Sequence, residues 1–416
     1  MRTLFTIEDT MANKVSYWYL VAFLLVLPFD FFYSEIILVG FSIHTLIHLK
    51  TKSLKNIFRR EVMVLVSIYL ISILSITYSS DKQEGINIAS RQLSLLLFPI
   101  LFALNDLNIY KYRDRFFSFF VISCMGTVIY LYADALVTIN YFHLPASALY
   151  TLAFMNHNFS MPIEMHATYL SLYVAFSIIV LAFRLVREKR RYGKLIYTGC
   201  LILLTLGLLQ LSSRAVFIAL LVIINLVFPL LVFTGIERIR FLFVSLCLSG
   251  LVLLSILNIS SFRIRYVSEL RKDLTQKSDL IEVNESRLAR WGGIVELIKG
   301  SPIIGFGQGS EKQMLKNMYF EKKLYTSYLN EFNAHNEYLS FLLKTGIAGL
   351  LLFIYVLYTG FKQSFRQQDG LFLSFMILVT MVSISENILD LNKGIFFYSF
   401  FFSLFLIRKE EPVDLK

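Results

Sequence analysis

The sequence predicts an all-α polytopic membrane protein of about twelve transmembrane helices, with a long helical loop on the outer face. Three observations predict it. Of 416 residues, 56% are hydrophobic and 17% charged, with a mean hydropathy of +0.63; a soluble domain is nearer 45–50% apolar and roughly 25% charged. The apolar residues are gathered into blocks, and about 20 residues at 1.5 Å each cross a hydrocarbon core about 30 Å thick. Finally, Lys and Arg are concentrated in alternate loops between the blocks.

The first block, residues 17–30 (YWYLVAFLLVLPFD), has no small-residue cleavage site after it and reads as an uncleaved span. Spans follow at 35–48, 62–79, 92–104, 116–136, 166–184, 195–211, 215–233 and 240–258, and again at 337–359, 371–386 and 394–407. With the N-terminus inside, the inner loops carry KTKSLKNIFRR, YKYRDR, RLVREKRRYGK, ERIR, FKQSFR and the tail RKEE. The short outer loops are nearly bare of Lys and Arg, as the positive-inside rule requires, and both termini fall in the cytoplasm. The same alternation accounts for most of the net charge of +11, so no nucleic-acid partner is expected.

Three parts follow: 1–258 with spans one to nine, a long outer loop at 259–336, and 337–416 with spans ten to twelve and a short tail. In the loop, RLARWGGIVELIKGSPIIGFG and EKQMLKNMYFEKKLYTSYL alternate charged and apolar residues at helical spacing. They predict amphipathic helices that lie on the membrane face or cap the bundle. A second outer segment covers about 137–165. Cys124, Cys200 and Cys247 each lie inside an apolar block without a CxxC pairing, and read as small hydrophobes.

The candidate chemistry lies at the outer ends of the spans. Arg91 precedes the fourth span, Arg214 stands in the SSR turn between the seventh and eighth, and Arg287 and Arg290 share one helix face. Positive-inside statistics disfavour Arg in short outer loops, so these need another reason. A guanidinium binds phosphate in a bidentate way and stays charged, as a lipid-linked phosphate or diphosphate would need. The alternative is that each snorkels to headgroups or pairs with an acid.

His335, in FNAHNEYLSFLL, stands before the tenth span at the positive end of a helix dipole. The dipole and nearby arginines both favour neutral imidazole, the form a general base requires; the alternative is a capping role. Asn336 beside it is a candidate acceptor-site residue, and His166 on the other outer segment, with His157 and Glu164, either shapes that site or caps the sixth span. GFGQGS (305–310) has the wrong spacing for a phosphate loop and reads as a turn. Lys344 and Glu386, within or at the edge of spans, read as structural pairs. No carboxylate pair or DxD-like motif stands in the outer loops, so neither a metal nor a cofactor is expected.

SSRAVFIAL, RLARWGGIVELIKGSPIIGFGQGS and NAHNEYLSFLLKTGIAGLLLF together resemble the signature regions of the O-antigen ligase superfamily, which also holds O-antigen polymerases and pilin oligosaccharyltransferases. The resemblance covers Ser212 to Phe353. It implies a multi-spanning, GT-C-like glycosyltransferase of the bacterial inner membrane, with its active site facing the periplasm. It implies an undecaprenyl-diphosphate-linked glycan as donor and the lipid A core as acceptor. By motif, the diphosphate-binding arginines fall on Arg214 and on Arg287 or Arg290, with Arg91 as a further candidate, and the histidine that activates the acceptor hydroxyl falls on His335. A polymerase, whose acceptor is a second lipid-linked glycan, is the nearest alternative. An oligosaccharyltransferase and a transporter of the lipid-linked glycan stand further off; a transporter would call for Gly- or Pro-broken helices near the midplane.

Overall fold

The computed structural model describes residues 5–29, 31–274 and 285–408. The protein is 80% helix, with no strands among the described residues. Each expected span falls on a helix. Seven helices are long and apolar enough to cross a membrane: Lys82–Leu104, Ile109–Tyr141, Ala167–Arg187, Arg191–Leu211, Arg214–Leu231, Gly235–Asn258 and Glu337–Arg366. The other five expected spans are shorter helices: Met11–Val26, Phe31–Ile47, Arg60–Ile76, Gly370–Val382 and Asn392–Leu406. Helix starts carry the expected caps. Thr10, Asp81, Ser286, Asn336 and Asp369 each accept a backbone N–H of their own first turn.

Two helices form the centre. Asn392–Leu406 is buried from Gly394 to Leu406, and Ala167–Arg187 is buried along most of its length. Phe176, Phe397, Phe401 and Phe405 interlock there, with Phe176 and Phe401 edge to face at 4.9 Å. A helix apolar all round suits such a place. Gly235–Asn258, as apolar, buries only Ser245 and Ile256, and turns its Leu and Val side chains outward, as a hydrocarbon solvent allows.

The two ends of the bundle differ. At one end the basic loops meet: Arg113 and Arg408 both pair with Asp369, Arg408 lies 4.0 Å from the Tyr110 ring centroid, and Arg59 donates to the Arg408 carbonyl at 2.9 Å. The loop from 259 gathers at the opposite end. Its amphipathic helices Arg287–Ile298 and Ser310–Glu321 share a small core, Ile294, Leu315, Met318 and Tyr319, that includes Leu343 of the next helix. They cap the bundle.

The structure corrects the expectation of an unbroken tenth span. Helix Glu337–Arg366 breaks at Gly346, with φ +64° and ψ −164°. The glycine-rich stretch read as a turn fills the break. Phe306 and Gly307 donate to the carbonyls of Leu343 and Lys344 at 2.9 and 2.8 Å, and Ile347 donates to Pro302 at 2.9 Å. A β-carbon on Gly346 would lie 2.2 Å from the Ile303 carbonyl oxygen, and one on Gly307 2.6 Å from Ser79 Cα. These glycines are therefore set by close backbone approach as well as by positive φ.

Candidate active site

At the capped end a cavity of about 540 Å³ opens between the helix ends and the loop. Arg214, Arg287, Arg290, His335 and His166 all line it, with Arg265, Lys272, Asp273 and Glu386. These residues, up to 220 positions apart in the chain (166 to 386), thus meet in one place.

Local structure explains each position. Helix Arg191–Leu211 ends on Ser212 in the left-handed conformation (φ +52°), whose hydroxyl donates to the Leu209 carbonyl at 2.8 Å. One extended residue, Ser213, then starts the next helix, so Arg214 is its first residue. Arg287 is likewise the first residue of Arg287–Ile298, capped by Ser286, and Arg290 lies one turn on. A cation at a helix N-terminus opposes the dipole, so both places are unfavourable until an anion arrives.

Charge pairing points the same way. The Asp273 carboxylate sits between two guanidinium groups, 2.7 Å from Arg214 Nη2 and 3.5 Å from Arg287 Nε. Arg287 also donates from Nη1 to the Ser385 carbonyl at 2.9 Å. Arg290 is 7% exposed, with its guanidinium 5.1 Å from the Phe332 ring centroid. Arg214 Nη1 and Arg290 Nη1 are buried without a hydrogen-bond partner among the described residues.

His335 adopts φ +44°, uncommon for a residue with a side chain. Its Nδ1 lies 3.3 Å from Glu386 Oε2, so the proton is on Nδ1 and the lone pair on Nε2. Burial alone would raise the Glu386 carboxyl. The hydrogen bond from His335 and the neighbouring positive charge, Arg287 included, outweigh it and hold Glu386 below the usual carboxylate range. The expectation for His335 considered only arginines and the dipole; the structure adds this carboxylate, which orients the ring.

His157 and His166 stack edge to face at 4.2 Å. Each Nδ1 accepts a backbone N–H, from Ala167 at 3.4 Å and Thr168 at 3.3 Å, so the neutral rings present Nε2–H as donors. Burial pushes His166 down to about 4, and it is neutral at pH 7. His166 therefore caps its helix and also lines the cavity.

Two expected residues lie apart. Arg91 lines a second cavity of about 920 Å³ with Glu35, Tyr130, Lys393 and, again, His166. It pairs with Glu84 at 3.0 Å, seven residues earlier on the same helix, both side chains half-buried. Asn336 is spent on structure: its side chain caps Leu339 N at 3.1 Å, and its own N–H donates to Asn387. Lys344 is buried against Glu311 at 3.1 Å and Asp390 at 2.8 Å, as a charge within a span should be. Glu386, set beside it as a structural pair, proves to face the cavity. Asp273 and Arg265 were missed, although RIRYVSELRKD follows directly on the ninth span.

An all-helical, multi-pass membrane protein with an arginine-lined cavity against a carboxylate-oriented histidine fits a class of membrane glycosyltransferases. Residues 199–354 match the family model described as O-antigen ligase, so this segment is similar to the O-antigen ligase superfamily. The matched segment includes Arg214, Arg265, Arg287, Arg290 and His335. No curated protein matches the chain.

Proposed function

We propose that the protein is an O-antigen ligase that transfers a glycan from undecaprenyl diphosphate to the lipid A core, on the periplasmic face of the bacterial inner membrane. The Asp273 carboxylate held between Arg214 and Arg287 carries this reading: it marks where a bound anion would be met by two guanidinium groups, with Arg290 beside them. Two helix N-termini add their dipoles at the same place. The positive-inside rule supports the orientation, because the basic loops meet at the far end of the bundle.

In this reading Arg214, Arg287 and Arg290 hold the donor diphosphate and take up its charge as it leaves. His335 Nε2 accepts the proton of the acceptor hydroxyl while that oxygen attacks the anomeric carbon. The new carbon–oxygen bond forms as the bond to the diphosphate breaks, the electron pair departs with the phosphate oxygen, and the configuration inverts. Glu386 steadies the imidazolium through Nδ1. A diphosphate is already a good leaving group, so positioning and fixed charge supply most of the rate. His157 and His166 present donors to sugar hydroxyls from the opposite wall. Transport is not favoured by the broken helix, because loop residues 302–307 fill the break at Gly346 and leave no pathway there.

The test is genetic. A deletion strain is complemented with wild type, Arg214→Ala or His335→Ala, and lipopolysaccharide ladders and lipid-linked glycan are compared. A ligase predicts that the deletion leaves bare core, with long polymer retained on the lipid carrier. Core bearing a single repeat would instead identify a polymerase. Wild-type ladders from both variants would refute the site.

A further inference from the structure

His335 is gripped from both sides. The N–H of Ala334 donates to Glu311 Oε1 at 3.1 Å, and the N–H of Asn336 donates to Asn387 Oδ1 at 2.8 Å. Glu311 Oε2 lies 3.1 Å from Lys344 Nζ and accepts the Ser340 hydroxyl at 2.6 Å. Lys344 Nζ donates to Asp390 Oδ1 at 2.8 Å, and Asp390 Oδ2 accepts from Asn387 Nδ2 at 2.7 Å. The hydrogen bonds close into a ring that runs from Lys344 through Glu311 and the backbone around His335 to Asn387, Asp390 and Lys344 again. Lys344 and Glu311 are only 6% and 5% exposed.

Such a ring is a costly way to stabilise a fold. Buried ion pairs lose most of their attraction to desolvation, and apolar residues of the same volume commonly do as well. What the ring does achieve is local. It ties down the backbone N–H of each residue next to His335, which stands at φ +44°, a conformation that persists only where surroundings over-determine it. It also joins three separate pieces of chain: the loop helix with Glu311, the helix with Lys344, and the 383–391 segment that carries Glu386.

We infer that Lys344, Glu311, Asn387 and Asp390 are positioning residues for His335, acting through the backbone N–H groups of its neighbours Ala334 and Asn336. The ring holds the histidine backbone in its left-handed conformation and sets Glu386 against Nδ1. This rests on the reading of His335 as the group that takes the acceptor proton. None of the four lines the arginine cavity, so their effect is on turnover and leaves donor binding intact.

The decisive variant is Asn387→Ala, which opens the ring and leaves Lys344 still paired with both carboxylates. Purified protein in nanodiscs is assayed with the lipid-diphosphate glycan extracted from the deletion strain, in wild type, Asn387→Ala, His335→Ala and the double variant. Lys344→Met is run beside them. A displacement of about 1 Å costs on the order of 100-fold. Asn387→Ala is therefore expected to lower kcat about 10- to 100-fold, with KM for the donor within twofold of wild type. In the His335→Ala background the same change is expected to have no further effect, because a positioning residue has nothing left to position. Wild-type kcat in Asn387→Ala, a rise in KM alone, or an equal further loss in the double variant would overturn the inference. Full activity of His335→Ala would instead overturn the reading beneath it, whatever Asn387→Ala does.

Discussion

Arg91 and Arg214 satisfy the same argument from sequence, an arginine at the outer end of apolar spans, and the structure sends them to different cavities. Arg214 enters a helix N-terminus, is mostly buried, shares Asp273 with Arg287 and keeps one nitrogen without a partner among the described residues. Arg91 lies in the last turn of Lys82–Arg91, the first piece of the helix Lys82–Leu104, where a cation is welcome, and pairs with the half-buried Glu84. One is placed against its own electrostatic interest and the other in accord with it. An arginine that its surroundings do not favour is the one that points to a ligand.

The sharpest way to break this contrast is to remove the groups on the charged side. His335→Ala should lower kcat by about 100-fold or more, the usual worth of a positioned base, in single-turnover assays with the extracted donor. Arg290→Ala should lower kcat/KM about 10- to 100-fold, the loss of charge-assisted hydrogen bonds of about 1.5–3 kcal/mol, and Arg290→Lys should restore little, since an ammonium lacks the planar fork.

Glu386→Gln should cost about tenfold in kcat, a modest loss for an orienting carboxylate. Its folded pKa is depressed, so its ion pairing is complete above the unfolded value of about 4.3 and is lost as pH falls through the lower folded value. The Gln variant should lose that acid-limb contribution to thermal stability in detergent. His166 is depressed too, to about 4, so the linkage has the same sign at a higher pH. Between about 6.5 and 4 the unfolded chain binds the extra proton, so stability falls as pH falls across that window. His166→Gln should flatten the decline in melting temperature there.

The smallest effect belongs to Arg91→Ala. A surface pair is worth about 0–1 kcal/mol, so kcat/KM should stay within about twofold of wild type. If Arg91→Ala matched Arg290→Ala, the two arginines would be equivalent and the contrast would fail.

Much of this was legible in the sequence because it is written in local patterns. Apolar blocks and alternate basic loops located the helices, and the outer arginines with the histidine of the HN motif led to Arg214, Arg287, Arg290 and His335. What was not legible depends on tertiary approach. No spacing in the chain relates Glu386 to His335, 51 positions earlier, or Asp273 to Arg214, 59 positions earlier. Asn336 was misjudged because an Asn before a helix is a cap first, and its side chain is used up there. The break at Gly346 was hidden because its cause lies in another segment, which must approach to backbone contact.

The glycine clasp has a consequence for how a substrate arrives. The cap is pinned to the membrane helices downstream of Arg287 and Arg290, at residues 302–307 and again through Glu311, which pairs with Lys344 and accepts the Ser340 hydroxyl. On the proposed reading, a diphosphate drifting in the plane of the bilayer meets guanidinium groups that are already assembled. Its capture would then be governed by lateral diffusion and by the shedding of counterions, and it should weaken steeply as salt is raised. Ordering of a lid would impose no such dependence.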